Sequence, residues 1–264
     1  MVLETHISFP KICGVLVELK RKLNIDILIE NYRKVMPGRV LFFFCSKLDY
    51  DYYNGYYNGD NIIKIVNTGV DTFTITEYND FLKSLDFWDT FKGYTHVLTI
   101  NTRGCLCENS KYRIEKFFKY DFIGGYSANK WLNETHGLHK YSDYKCFNGG
   151  FSFRRISAIK DVLNNFPPLP TENYNENTSF RAYTEDLYFV IGLLILNSTG
   201  KHGKRKYCVG LDELATKFCT YTDYITNTFC VNELDDYIER KQIDIFLQYC
   251  PLFKNFITQF KKCE

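Results

Sequence analysis

Two short segments in the second half of the chain carry residue types that could do chemistry on a bound ligand. One is Asn148 to Arg155 (NGGFSFRR), and the other is Thr184 to Phe189 (TEDLYF). Two glycines beside an alternating strand let backbone and ligand approach closely, because they have no Cβ. The acidic pair Glu185-Asp186 stands where an apolar helix is expected to start. Together the segments predict a pocket wall with a carboxylate facing it.

The charge balance excludes a partner that is selected by an overall electric field. Lys and Arg number 33 against 31 Asp and Glu, which leaves a formal net charge of +2. We therefore expect anions to be recognised locally, and no nucleic-acid partner. The basic segment Lys201 to Lys206 is interpreted as a solvated loop, with a lid over a bound diphosphate as the alternative.

The ten cysteines indicate buried, reduced thiols. None stands in a CxxC pair, and the five histidines form no HExxH spacing, so neither a zinc site nor a disulfide framework is predicted. Met1 to Pro10 lacks the basic start and apolar run of a signal peptide. The longest aliphatic stretch, Phe189 to Leu196, is too short to span a membrane. These features predict a soluble, cytoplasmic protein.

Apolar runs alternate with helical spacing along the first half of the chain. Strands are predicted over Ile12 to Glu18, Val40 to Cys45, Ile62 to Val66, His96 to Ile100 and Phe122-Ile123, and helices over Leu19 to Val35, Glu77 to Phe91 and Tyr112 to Tyr120. This alternation predicts an α/β fold with a mostly parallel sheet and helices on both faces. Ligands of such sheets bind beyond the carboxyl ends of the strands, where Glu18 and Asn101 to Gly104 fall.

No linker separates two domains, so residues 1–264 are predicted to form one domain with a helical C-terminal extension over 233–264. The repeat in Tyr52 to Gly59 (YYNGYYNG) favours a hairpin or a loose insertion, with a sugar-stacking platform as the alternative. Six C-terminal side chains fall on one helical stripe, which is interpreted as core packing: Tyr249, Leu252, Phe253, Phe256, Ile257 and Phe260.

Five motifs occur in the order seen in a glycosyltransferase-like domain-of-unknown-function family that is frequent in giant DNA viruses and microbes. They are Tyr78-Asn79 with Lys83-Ser84 and Phe87-Trp88, Val97 to Asn101, Tyr120 to Gly124, Asn148 to Arg154, and Glu185 to Phe189. The resemblance covers about residues 12–220. More remotely, the chain is similar to fringe-type β-1,3-glycosyltransferases, which implies a GT-A-like, Rossmann-like fold. A viral source would place it in the host cytoplasm.

The chain departs from this family at the position of the metal ligand. The family usually reads Gln-Thr-Asp-Ser after the central strand, whereas this chain reads Asn101 to Gly104 (NTRG). The resemblance implies Mn²⁺ or Mg²⁺ on the donor diphosphate, but Arg103 cannot bind a cation. Its guanidinium could instead contact phosphate oxygens directly. No metal ligand is therefore predicted.

The resemblance implies a nucleotide-sugar-dependent glycosyltransferase. Such an enzyme moves a sugar from a UDP-sugar-type donor to a hydroxyl of a glycan or protein, with inversion. Asp186 is the predicted base, with Glu185 beside it. Donor contacts are predicted for Glu18, Lys83, Asn101, Thr102 and Arg103, and sugar or acceptor contacts for Asn148, Gly149, Gly150 and Arg154.

Structural interpretations stand beside each of these roles. Asp186 could serve only the helix dipole, Gly149 and Gly150 could mark a β-bulge or crowded packing, and Lys83, Arg154 and Glu18 could be solvated. Two other function classes stay open. Arg103 favours a catalytically silent nucleotide- or sugar-binding module, and the absence of a cleft joining Asn101, Asn148 and Asp186 would favour a structural or interaction protein.

Overall fold

The structure is a computed structural model that describes residues 10–128, 145–172, 178–200, 206–233 and 240–260. The predictions made for residues 1–9, for most of the basic segment (201–205) and for Cys263 lie outside these ranges, as do the side chains of Ile257 and Phe260.

Nine strands of the described residues form one sheet in the order β3-β2-β1-β4-β7-β6-β8-β9-β5. Their bounds are β1 Ile12–Val17, β2 Leu41–Cys45, β3 Ile63–Asn67, β4 His96–Ile100, β5 Gly104–Leu106, β6 Phe122–Tyr126, β7 Cys146–Arg155, β8 Cys219–Thr220 and β9 Cys230–Asn232.

The helices of the described residues connect these strands and follow the last of them. They are α1 Ile25–Val35, α2 Tyr50–Tyr56, α3 Ile75–Leu82, α4 Leu85–Asp89, α5 Ile156–Asn165, α6 Glu185–Thr199, α7 Glu213–Thr216, α8 Arg240–Tyr249 and α9 Phe253–Phe260, with 3-10 turns at Ile114–Phe117 and Phe180–Ala182.

The predicted mostly parallel α/β fold is confirmed. The first four strands pair in parallel, with β1 between β2 and β4. Strand β7 runs antiparallel to both β4 and β6, while β6-β8 and β8-β9 are parallel again. The strands β2 and β4 are buried along their whole length, as expected of a parallel sheet covered on both faces.

Each face of the sheet has its own core. On one face, Leu16 and Phe43 pack with Tyr32 of α1. On the other face, Val15 and Phe44 pack with Trp88 of α4 and with side chains of α5 and α6. Neighbouring strand residues point to opposite faces, so one run of apolar residues supplies both cores.

Several element boundaries differ from the prediction for local reasons. Helix α1 begins only at Ile25, because Glu18 and Asn24 bind Thr102 and hold the intervening segment at the sheet edge. The predicted helix over Glu77 to Phe91 is two helices, because the Ser84 hydroxyl accepts a hydrogen bond from the Phe87 N–H and starts α4. The predicted helix over Tyr112 to Tyr120 is a short 3-10 turn.

The predicted hairpin at Tyr52 to Gly59 is wrong, because this segment forms α2 and the turn after it. Tyr53 is buried, and its ring contacts Phe43 with centroids 4.8 Å apart. Tyr57 donates a hydrogen bond of 2.6 Å to Asp26 on α1. Burial of two of the repeated tyrosines outweighs the turn preference of the Asn-Gly pairs, of which only Gly59 adopts a positive φ, +82°.

The C-terminal extension is helical in α8 and α9, and the strand β9 precedes it. Tyr249, Phe253 and Phe256 are buried in the core, which confirms the packing interpretation for these three. The described cysteines other than Cys208 are buried free thiols, and Cys208 is partly exposed.

Candidate functional site

The candidate site lies at the carboxyl ends of β1 and β4, where the chain connections of neighbouring strands run on opposite faces of the sheet. Strand β1 pairs with β2 on one side and β4 on the other, and Leu16 lies beside Ile100 at their carboxyl ends. A cavity of about 450 Å³ opens beyond these ends, lined by residues 17–20, Lys22, 72–75, Tyr78 and 101–103. Open α/β sheets bind ligands at such a switch point. We call this space the first cavity.

A second cavity of about 430 Å³ adjoins the first, since Ile75, Tyr78 and Asn101 line both. Its other walls are residues 147–150 of β7, residues 184–187 at the start of α6, and Tyr221, Asn232 and Glu233. The two cavities form one cleft. It brings together Glu18, Asn101, Thr102, Arg103, Asn148, Gly149, Gly150, Glu185 and Asp186, which the sequence separates widely.

The first cavity is lined by three basic side chains, Lys20, Lys22 and Arg103. Lys22 lies 2.5 Å from a Glu18 carboxylate oxygen and donates to the Thr102 hydroxyl at 2.8 Å. The Arg103 guanidinium lies 3.1 Å from Glu233, and its side chain is 40% exposed. Three cations against two carboxylates leave a positive surface that suits an anionic ligand.

Three asparagine side chains form a hydrogen-bonded chain between the cavities. The Asn101 side-chain carbonyl accepts the Arg103 backbone N–H at 2.8 Å, so its amide NH₂ is the group that faces Asn232. The Asn232 NH₂ in turn donates to the Asn148 carbonyl at 2.8 Å, and the Gly150 backbone N–H donates there as well.

These contacts fix the orientation of the Asn148 amide. A backbone N–H group, which can only donate, stands at each end of this series of three asparagines. Reversal of any of the three amides would therefore set two donors against each other. The Asn148 NH₂ makes no hydrogen bond to the described residues, and Asn148 lines the second cavity. The wall therefore offers a ligand one donor of fixed direction.

Asp186 is held at the start of α6 with its carboxylate in the second cavity. One oxygen accepts the Gly149 N–H at 3.0 Å. The other accepts the Thr184 hydroxyl and the Leu187 N–H, both at 2.8 Å. These donors keep a half-buried carboxylate oriented, and the helix dipole favours its charge. The dipole interpretation and a site role are compatible here.

Glu185, in the wall of the second cavity, forms a buried ion pair with Arg154. Their two contacts are 2.5 and 2.9 Å, and the Arg154 side chain has no exposed surface. Burial raises the pKa of the Glu185 carboxyl, and Arg154 opposes this effect. Arg154 therefore contacts Glu185 and Ser152 rather than the cavity, and we propose no sugar contact for it.

Lys83 lines neither cavity, so we propose no contact between it and the donor. Its ammonium group donates to the carbonyls of Leu169 and Tyr183 at 3.1 Å and to the Thr171 hydroxyl at 2.6 Å. Burial lowers the pKa of Lys83, and Asp80 opposes this shift. Lys83 ties α3 to the segment before α6.

Other side chains of the protein fill the space where Gly149 and Gly150 of β7 would carry a Cβ. A Cβ on Gly149 would lie 2.3 Å from a Glu185 oxygen, and one on Gly150 would lie 2.4 Å from the Asn101 amide nitrogen. The register of β7 against β6 also shifts here, because Ile123 pairs with Phe153 while Gly125 pairs with Asn148. The shift agrees with the β-bulge interpretation, and the short Cβ distances agree with crowded packing around the two glycines.

The sequence predicted no site role for several residues of the cleft wall. Tyr78 lines both cavities, and Asn79 accepts the Glu185 backbone N–H at 2.8 Å, which fixes the start of α6. Lys20 and Lys22 directly follow β1, a position that could have identified them. Nothing in the sequence around Asn232 distinguishes it, because only the sheet brings it beside Asn101.

The residues of the cleft do not fit the divalent cation that the resemblance implies. Among the described residues, no group of three or more His, Cys, Asp or Glu side chains could hold a metal ion. Three of the carboxylates around the cleft face cations, namely Glu18, Glu185 and Glu233. A hard cation needs several oxygens free to converge on it. We therefore propose no metal-dependent step.

No helix in the described part of the chain is long and apolar enough to cross a membrane.

The sequence matches a protein family over most of its length. No curated protein matches the sequence. A family model described as "Protein of unknown function (DUF5672)" matches residues 63–237, which hold β3 to β9 and all of the residues that line the second cavity. The chain therefore belongs to the DUF5672 family.

Proposed function

We infer that the protein transfers a sugar from a nucleotide-sugar donor to a hydroxyl acceptor. The observation that carries the proposal is the cleft itself. A basic cavity at the switch point of the sheet adjoins a second cavity that presents an oriented carboxylate, Asp186, and an oriented amide donor, Asn148. Anion binding beside a candidate base is what such a transfer requires.

In this proposal the first cavity holds the nucleoside diphosphate. Lys20, Lys22 and Arg103 supply positive charge to the phosphate oxygens, and Glu18 accepts from a base or ribose group at the end of β1. This assignment lets protein cations supply the charge that a divalent ion would otherwise supply. UDP is the nucleoside diphosphate suggested by the family resemblance.

The second cavity holds the reacting groups. The acceptor oxygen forms a bond to the anomeric carbon while the bond from that carbon to the diphosphate oxygen breaks, and the bonding electrons leave with the nucleoside diphosphate. Asp186 takes the proton of the acceptor hydroxyl. The Asn148 NH₂ donates to an oxygen of the sugar or acceptor and so orients it. Inversion at the anomeric carbon follows from this single displacement.

A catalytically silent module that binds nucleotide sugars is the second candidate. It is favoured by Arg103, which stands where the resembling family has an acidic residue. A purely structural role is less favoured, because one cleft does join Asn101, Asn148 and Asp186.

Calorimetry with UDP and UDP-sugars, in EDTA and then in Mn²⁺, tests the binding half of the proposal. We expect binding that survives EDTA, weakens with salt and is lost in Arg103→Ala. The matched control is Arg113→Ala, whose guanidinium lies outside the cleft and donates to the Ser110 carbonyl. Binding that appears only with Mn²⁺ would contradict the role given to Arg103. Binding without release of UDP in the presence of acceptors would favour the silent module.

A further inference from the structure

Four exposed aliphatic side chains lie at the same edge of the sheet as the first cavity, and one of them, Ile75, lines it. Leu23 is 91% exposed, Leu48 77%, Val70 40% and Ile75 82%. Leu23 follows β1, Leu48 follows β2, Val70 follows β3 and Ile75 begins α3, so all four lie at the carboxyl edge of the parallel strands. We call these four residues the apolar rim.

The loops that carry the apolar rim are joined into one surface. The Lys47 N–H donates to the Val70 carbonyl at 2.8 Å, which links the loops after β2 and β3. The Arg21 guanidinium lies 3.5 Å from the centre of the Tyr52 ring, which links the loop after β1 to α2. Ile75 lines the first cavity together with Lys20 and Lys22.

Basic residues accompany the apolar rim. Lys20, Arg21 and Lys22 immediately precede Leu23, and Lys47 immediately precedes Leu48, and all four basic residues are exposed. The carboxylates on the same loops include Glu18, which is paired with Lys22, Asp49, which hydrogen-bonds to Ser46, and the exposed Asp71.

This combination differs from a protein-docking groove. A protein interface buries an apolar centre inside a polar border. Here single aliphatic side chains project from separate loops, and each of the two leucines follows a basic residue. Surfaces that rest on a bilayer place aliphatic side chains among the acyl chains and basic side chains among anionic headgroups.

We propose that the apolar rim and its basic neighbours bind the surface of a membrane that contains anionic lipid. The mouth of the first cavity then opens towards the bilayer, because Lys20, Lys22 and Ile75 belong to both. The inference rests on exposure and charge and does not depend on the proposed function.

Co-sedimentation of the full chain with vesicles tests the proposal. We expect binding to vesicles of phosphatidylcholine mixed with phosphatidylserine, little binding to phosphatidylcholine alone, and weakening by about an order of magnitude at high salt. The double variant Leu23→Ser, Leu48→Ser should bind roughly a hundredfold more weakly, since both apolar insertions are lost.

The matched control is Leu211→Ser. Leu211 is exposed as well, at 55%, but it lies near the amino ends of the strands rather than the carboxyl ends. Its neighbour Val209 pairs with Phe122, the first residue of β6. Unchanged thermal melting of the variants shows that all of them fold. Absence of binding to either vesicle, or equal binding by the double variant, overturns the proposal. Self-association of the wild type that the double variant abolishes, without vesicle binding, identifies a second copy of the chain as the occupant and overturns it too.

Discussion

At the scale of single residues, the cleft is defined by polar groups whose direction is fixed by backbone contacts. The Asn148 amide is oriented through Asn232 and Asn101 from the Arg103 N–H, and the Asp186 carboxylate is oriented by the Gly149 and Leu187 N–H groups. Orientation of this kind requires no reorganisation when a ligand arrives, which is the condition for effective electrostatic positioning.

Asp186→Asn should remove most of the transfer activity and leave donor affinity nearly unchanged. The lost group acts on the proton that moves in the transition state, so we expect kcat to fall by about 10²- to 10⁴-fold. Turnover assays and donor calorimetry measure the two quantities. Asp161→Asn is the control, because Asp161 accepts a hydrogen bond from Tyr207 outside the cleft. Wild-type turnover in Asp186→Asn would reassign Asp186 to the helix start.

Asn148→Asp tests the orientation of the amide. The new carboxylate can accept the same bonds from Asn232 and Gly150, but it no longer offers a donor to the cavity. We expect affinity for a UDP-sugar to fall about 10- to 100-fold, because the ligand loses a hydrogen bond and meets a second negative charge. UDP alone is the internal control in the same calorimetric titration. Equal weakening for UDP would mean that only the added charge acts.

At the scale of elements, strand β7 and helix α6 pack closely where β7 has Gly149. Gly149→Ala should be more destabilising than Gly150→Ala. Its Cβ would displace the Glu185 carboxylate from Arg154, and breaking a buried ion pair costs about 3–5 kcal/mol. The Cβ of Gly150→Ala would meet the amide ends of Asn101 and Asn232 instead.

Urea unfolding of both variants measures this difference. Gly55→Ala is the matched control, since Gly55 lies in α2 with open space around its Cβ position and should be neutral or stabilising. Equal free energies of unfolding for Gly149→Ala and wild type would show that the Glu185–Arg154 pair is not rigid.

The sequence was sufficient to predict the elements whose signal is local and apolar. The strand over His96 to Ile100 was predicted with the bounds that the structure has, and the clustering of Glu18 with Asn101 to Arg103 followed from strand ends in a parallel sheet. Asn148 reaches the same cleft from the antiparallel strand β7. Burial could not be predicted where partners are distant in sequence. Lys83 and Arg154 look solvated in the sequence, yet both are buried by segments far along the chain.

At the scale of the whole molecule, the two cores hold most of the cysteines away from water. Burial raises the pKa of Cys45 and Cys107 to about 11 and that of Cys146 to about 12, and raises those of Cys105, Cys230 and Cys250 well above the usual value. The fold therefore keeps these thiols protonated at pH values where an unfolded chain would ionise them.

The free energy of unfolding should consequently fall as the pH rises above about 8.5, the pKa of an unfolded thiol. Above that pH the unfolded chain binds fewer protons than the fold, so each buried thiol removes about 1.4 kcal/mol of stability per pH unit until its folded pKa is reached. Urea unfolding at pH 7.5, 9 and 10 measures the trend, and Cys146→Ala should flatten it slightly. Stability that is constant up to pH 10 would contradict the burial of the thiols.

The hydrogen bonds of Asn101 connect the two cavities, so ligand binding in one cavity should affect binding in the other. Its amide is bonded on one side to the backbone of Arg103 in the first cavity and on the other side to Asn232 in the second. A ligand that shifts the 101–103 segment therefore alters the free energy of the amide arrangement that a second ligand meets. Thermodynamic reciprocity then requires the second ligand to change the affinity for the first by the same factor. We therefore expect binding in the two halves of the cleft to be coupled, with a sign set by whether the first ligand strengthens or weakens the hydrogen bonds of Asn101.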